Sequence, residues 1–221
     1  MVTEPLVSDI RSCWNCKEEV KSLTTCPNCY KMLPIPESEN YFQFFGLKNH
    51  LNIDLGELEK KFFEFCKECH PDFFANCQDT EKIVCMSRMS FVNNAYKVLR
   101  DPISRAKYLL QLERGETTED QKKVPKELLF EVMELREKIE LATSEKDVEN
   151  INVLNEEINQ MKNNFENKIN DLNIELNNLF TKWDTLVDDK KNELRRTVLE
   201  DINNNLLVRA YLVNLISTLR R

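Results

Sequence analysis

The sequence predicts an all-α protein preceded by a small cysteine-rich module, and three observations carry that expectation. Its 221 residues include only 3 glycines and are 41% apolar, enough for a real core. Glu, Lys, Leu and Asn are abundant, while no alternating Val/Ile/Thr run and no βαβ pattern is visible. From residue 41 onward, apolar residues recur at threes and fours, the period of a helical face. A formal charge of −7 and a pI near 5.1 argue against a nucleic-acid surface, whose affinity comes mainly from Lys and Arg on phosphates. Protein partners are expected instead. No apolar run is long enough to span a bilayer, so no membrane segment is expected.

Residues 1–12 read as a tail with Arg11 set against Glu4 and Asp9, neither a signal peptide nor an Arg-rich presequence. Cys13-Trp14-Asn15-Cys16 and Cys26-Pro27-Asn28-Cys29 then make two Cys-x-x-Cys pairs, each able to turn two thiolates toward one cation. Four thiolates suit tetrahedral Zn²⁺, and the spacer is long enough for a hairpin that brings the pairs together. Two disulfides would fit a secreted chain better. A thiol redox pair would normally sit beside a βαβ unit. The module is therefore assigned to 13–33. Pro34 and Pro36 make 34–40 a short stiff linker, expected to keep the module apart from the helices downstream.

Leu55, Leu58, Phe62, Phe65 and Cys69 share one helical face, opened by a capping box of Asp54 and Glu57. Pro71 stops that helix and leaves His70 and Asp72 in a turn. A second amphipathic segment runs from Glu81 to Arg100. Pro102 opens a further helix, with Arg105, Tyr108, Leu109 and Leu112 suited to packing back, and Gly115 closes it. The polar stretch 115–124 is a linker, and Pro125 starts the next helix, carrying Leu128, Leu129, Val132, Met133, Leu135 and Ile139. Ser144 with Asp147 offers another capping box. Ile151, Leu154, Ile158, Met161, Phe165, Ile169, Leu172, Leu176 and Leu179 form a sustained seam of coiled-coil type. A break at 181–189 permits reversal into a last helix bearing Leu194, Val198, Ile202, Leu206, Tyr211, Leu212, Leu215 and Leu219, which predicts a three-helix bundle over 125–221.

A His70-Pro71-Asp72 turn between two helices resembles the J domain, and the flanking sequence is more specific. Tyr41-Phe42-Gln43-Phe44-Phe45-Gly46-Leu47, Asn93 to Pro102, Ser104-Arg105-Ala106-Lys107-Tyr108-Leu109-Leu110 and Leu135-Arg136-Glu137, with the two upstream Cys pairs, resemble the HscB family of J-type co-chaperones in iron-sulfur cluster biogenesis, in particular its animal-type members. The resemblance is dense from Cys13 to about Leu141. It implies a J domain over 41–114 and a C-terminal bundle that binds an IscU-type scaffold protein. It implies that His70, Pro71 and Asp72, flanked by Lys60, Lys61 and Lys67, dock on a DnaK/HscA-type ATPase. The family's scaffold-binding positions fall on Leu129, Met133 and Tyr211. Compared with the family's bundle, the stretch between Leu135 and Tyr211 is about three heptads longer. That length implies either an extended bundle or an exposed seam that pairs two copies as a homodimer.

The resemblance makes the chain a non-enzyme, the chemistry belonging to the partner ATPase. His50, the only other histidine, lies away from the turn. Lys60, Lys61 and Lys67 are balanced by Glu57, Glu59, Glu64 and Glu68, which weakens steering toward an acidic partner. Cys66-Lys67-Glu68-Cys69-His70 also has the form of a c-type haem attachment signature. With His70 accounted for by the turn, no haem is expected. Cys66, Cys69, Cys77 and Cys85 read as helix-packing residues. The family implies mitochondria, with a cytoplasmic location as the alternative, and a general J-type co-chaperone for an unrelated client is the alternative function.

Overall fold

The computed structural model describes residues 11–20, 24–36, 39–68, 78–114, 125–145, 147–186 and 193–219. Apart from a minimal hairpin, β1 (Arg11–Ser12) and β2 (Glu19–Val20), the regular structure is helical: α1 (Tyr41–Phe44), α2 (Leu55–Glu68), α3 (Asp79–Arg100), α4 (Pro102–Arg114), α5 (Lys126–Ser144), α6 (Val148–Leu186) and α7 (Glu193–Leu219). The expected all-α architecture with a tetracysteine cluster near its start is what the chain adopts. Two compact units divide it, Met1–Leu109 and Leu110–Arg221.

In the first unit, local chemistry sets the helix ends. Asn40 caps α1 by accepting from the Phe42 amide at 2.8 Å. The helix closes when Gly46, at φ +61°, lets its own amide reach the Gln43 carbonyl while Leu47 reaches Phe42. Such a closure needs a left-handed residue, which glycine supplies without strain. Asp54 caps α2 through the Gly56 and Glu57 amides. Asp101 caps α4 through Ser104, with Pro102 at the first helical position, where a missing N–H costs nothing.

Packing of this unit is aromatic. Tyr41 stacks on Tyr108 at 4.4 Å, Phe44 and Phe45 meet Phe65, and Phe62 stacks on Tyr96 to join α2 to α3. Arg105, buried, donates to the carbonyls of Leu51 and Leu99, tying the loop before α2 to the last turn of α3. Leu55, expected on the inward face of α2, is instead half exposed.

Nor does the stretch 34–40 hold the cysteine module apart. Leu33 is buried, and the Arg88 side chain of α3 donates to its carbonyl at 2.7 Å. Lys31 is paired with Glu81 at 2.7 Å. Two prolines stiffen a segment, but they do not prevent the residues on either side from packing.

The second unit is the expected three-helix bundle. One cluster holds Leu128, Val132 and Leu135 of α5, Ile158 and Phe165 of α6, and Leu212, Leu215 and Ile216 of α7. Lys138 pairs with Glu157, and Lys168 with Glu131, so α5 runs antiparallel to the first half of α6. Asn205 donates to the Leu172 carbonyl and to Glu175, and Arg209 to Asn173, which sets α7 antiparallel to the second half. Arg195, over the Trp183 ring at 4.7 Å, also pairs with Glu113.

Helix α6 has 39 residues, about 58 Å at the ordinary helical rise. Every predicted seam residue on it is buried or half-buried. The seam packs against α5 and α7 of the same chain. Three local expectations change. Asp147, not Ser144, caps α6, because Ser144 is still helical and turns its hydroxyl back onto the Glu140 and Leu141 carbonyls. Residues 181–186 of the expected break are instead helical, anchored by the buried Phe180 and Trp183, and 187–189 lie outside the described residues. Leu194 is exposed, one position off the stripe set by Arg195, Val198 and Ile202.

Candidate functional site

The tetracysteine centre is built twice from the same local design. The Lys17 amide donates to the Cys13 carbonyl and the Cys13 amide to Glu18; the Tyr30 amide donates to Cys26 and the Cys26 amide to Lys31. Each turn passes through a left-handed residue, Lys17 at φ 64° and Tyr30 at φ 58°. The β1–β2 pairing closes the first turn and the Thr25–Met32 bridge closes the second.

The four Sγ atoms lie within 4.8 Å of one another, with Cys13–Cys29 and Cys16–Cys26 both at 3.6 Å. A tetrahedron with metal–sulfur bonds of about 2.3 Å has edges near 3.8 Å, and a disulfide would be about 2 Å. None of the four is in a disulfide. The backbone N–H of Lys31, with side-chain contacts from Asn15, Cys16 and Cys13, outweighs burial and lowers Cys29 to about 6. The Cys29 amide favours the Cys26 thiolate too, but burial and the neighbouring Cys16 and Cys29 sulfurs raise Cys26 to about 11. Thiols crowded in this way resist ionising together unless a cation shares their charge. Cys13, Cys16, Cys26 and Cys29 can thus hold one metal ion.

The second expected site spans α2 and α3. His70, Pro71 and Asp72, with Cys69 and Cys77, lie outside the described residues. Of the flanking lysines, Lys60 and Lys67 are exposed. Lys61 is engaged within the fold: its ammonium donates to the Phe45 carbonyl at 2.8 Å and pairs with Glu57 at 2.9 Å. Cys85 is buried in α3, as expected of a packing residue.

On the bundle, Leu129 and Met133 stand 41% and 65% exposed, one turn apart on α5, while Leu128, Val132 and Leu135 turn into the core. Tyr211 differs, packing half-buried against the core cluster. Sequence reasoning passed over Phe130, which is 71% exposed beside them. Its signal was excess: six apolar residues between 128 and 135 are more than one inward stripe of roughly 100° can hold. No helix among the described residues is long and apolar enough to cross a membrane.

Comparison with known proteins agrees with this geometry. Residues 124–198 match the sequence model of the HSCB C-terminal oligomerisation domain. The iron-sulfur cluster co-chaperone protein HscB homolog of Arabidopsis thaliana is 36% identical over 127 residues, which cover 58% of this chain and 50% of that one. The human iron-sulfur cluster co-chaperone protein HscB is 31% identical over 152 residues, 65% of each chain. The crystal structure of human co-chaperone protein HscB superposes with a TM-score of 0.63 at 21% identity, covering 95% of this chain and 97% of that one, a likeness of fold. The class is thus an all-helical chain with a tetracysteine module, whose relatives are named co-chaperones. Over these stretches the chain is similar to members of the HscB family. Its aligned stretch spans half the length of the Arabidopsis relative and just under two thirds of the human one.

Proposed function

We propose that this chain is a J-type co-chaperone of iron-sulfur cluster assembly, acting as a tether without catalytic chemistry of its own. The α2–α3 hairpin, joined through His70-Pro71-Asp72, engages a DnaK/HscA-type ATPase and stimulates its hydrolysis of ATP. The bundle holds an IscU-type scaffold protein through Leu129, Phe130 and Met133, with Tyr211 buttressing from α7. Joining both partners to one chain raises the ATPase's effective concentration at its client. Zn²⁺ is the ion assigned to the four cysteines, on their all-sulfur donor set and spacing. The family resemblance supports a mitochondrial location, with the cytoplasm as the alternative.

The observation that carries this reading is the apolar strip on α5, exposed beside a core-facing stripe on the same helix. Exposed apolar patches on soluble folds mark partners. The match to an oligomerisation-domain model over the same residues supports a role in association. Lys60 and Lys67 stand among exposed Glu59, Glu64 and Glu68, so steering toward the ATPase is weak and docking relies on contact. The deciding experiment measures ATP hydrolysis by a DnaK-type chaperone with this chain, with and without an IscU-type scaffold. Stimulation that the scaffold enhances supports the reading. Stimulation without scaffold binding would instead make the chain a general J-type co-chaperone with another client.

A further inference from the structure

The cysteine module and α3 are fastened at three points, all placed by the metal-binding turns. Trp14, between Cys13 and Cys16, donates its indole N–H to the Met32 carbonyl at 2.8 Å. Met32 is buried with Val84 and Cys85 of α3, and Trp14 and Met89 pack against that cluster. Arg88, 1% exposed, reaches the Leu33 carbonyl, and Glu81, whose side chain is 8% exposed, pairs with Lys31. Positions 81, 84, 85 and 88 form one stripe at helical spacing, covering the first half of α3.

Lys31 links the two halves of this arrangement. Its backbone accepts from the Cys26 amide and donates to the Cys29 sulfur, while its side chain grips Glu81. Met32 and Leu33 follow directly. The residues that shape the second turn around its ligands are therefore the same ones, or their immediate neighbours, that hold α3.

We infer that metal occupancy of Cys13, Cys16, Cys26 and Cys29 governs the stability of the first half of α3, residues 79–89, making the module a metal-linked clamp on the hairpin. Loss of the ion removes the charge sharing that holds four crowded thiolates together and releases the turns. Trp14, Met32 and Leu33 then leave the helix, and Val84, Cys85 and Arg88 lose their cover. Coupling of this kind is reciprocal, so residues of α3 that touch no ligand must contribute to metal affinity. This inference stands apart from the proposed co-chaperone role, because neither readout below involves an ATPase or a scaffold.

Hydrogen exchange followed by mass spectrometry on the full reduced chain, loaded with Zn²⁺ or stripped by a chelator, tests the first half of the claim. Peptides over 81–89 are expected to exchange at least about tenfold faster without metal, while those from α6 and α7 stay unchanged. Chelator competition tests the second half: Arg88→Ala and Glu81→Gln should each weaken Zn²⁺ binding by roughly 5- to 150-fold. Glu81→Gln is nearly isosteric and serves if Arg88→Ala does not fold. Unchanged exchange over 81–89 on stripping, or parental Zn²⁺ affinity in the variants, would make the module an independent appendage and overturn the clamp.

Discussion

Replacing Leu129, Phe130 and Met133 by Ala separates an interface from a core within one helix. Burying a whole side chain of this size is worth roughly 2 to 2.5 kcal/mol, and only the surface still exposed remains for a partner to cover. Scaled by exposures of 41%, 71% and 65%, the three contribute at most about 0.8, 1.8 and 1.3 kcal/mol. Single substitutions should then weaken binding of an IscU-type scaffold about four-, twenty- and tenfold, and the triple variant several hundredfold. Leu135→Ala, at a position with 0% exposure on the same helix, provides the contrast, with an expected loss of about 2–5 kcal/mol of stability. The assays are titration calorimetry against the scaffold and denaturant unfolding of each variant. The triple variant should unfold within about 0.5 kcal/mol per substitution of the parent. Parental affinity in that variant would place the interface elsewhere, and a stability loss like that of Leu135→Ala would show that the strip supports the fold.

Four further outcomes are expected. His70→Gln should abolish stimulation of a DnaK-type ATPase while leaving scaffold binding intact, measured by single-turnover hydrolysis beside calorimetry; full stimulation would remove the J-domain assignment. The reduced chain should carry about one Zn²⁺, lost in Cys13→Ser/Cys16→Ser but kept in Cys66→Ser/Cys69→Ser, as read by metal analysis. Zn²⁺ loading near pH 7.5 should release fewer than four protons, because Cys29, lowered to about 6, arrives as a thiolate whereas Cys26, raised to about 11, must give up its proton. In the metal-free fold, the stabilisation from Cys29 is present above the ordinary thiol range and is lost as pH falls through about 6, so proton release per ion should rise toward pH 5 in calorimetry across buffers of different ionisation heat. Tyr30→Gly, at an 80% exposed position with φ 58°, should stabilise the module by up to about 1 kcal/mol, seen as slower metal loss to a chelator.

Much of the molecule was determined by the sequence alone, because helix ends and helix faces are local matters. Asp54, Asp101-Pro102 and Pro125 mark starts through amides and carbonyls within four residues of themselves. The seam from Ile151 to Leu179 reads directly as a buried face. The cysteine pairs likewise announce a metal centre, since each pair of ligands is set by one turn. Tertiary structure decided the rest. Nothing local separates Leu129 and Met133, left exposed, from Tyr211, packed against the core, because only the neighbouring helices determine which flank is covered. Arg88 reads as a polar residue on an amphipathic helix, yet it is buried against a carbonyl 55 residues away. A long-range partner can satisfy a buried charge that no property of its own segment could predict, and the same contact binds the cysteine module to α3.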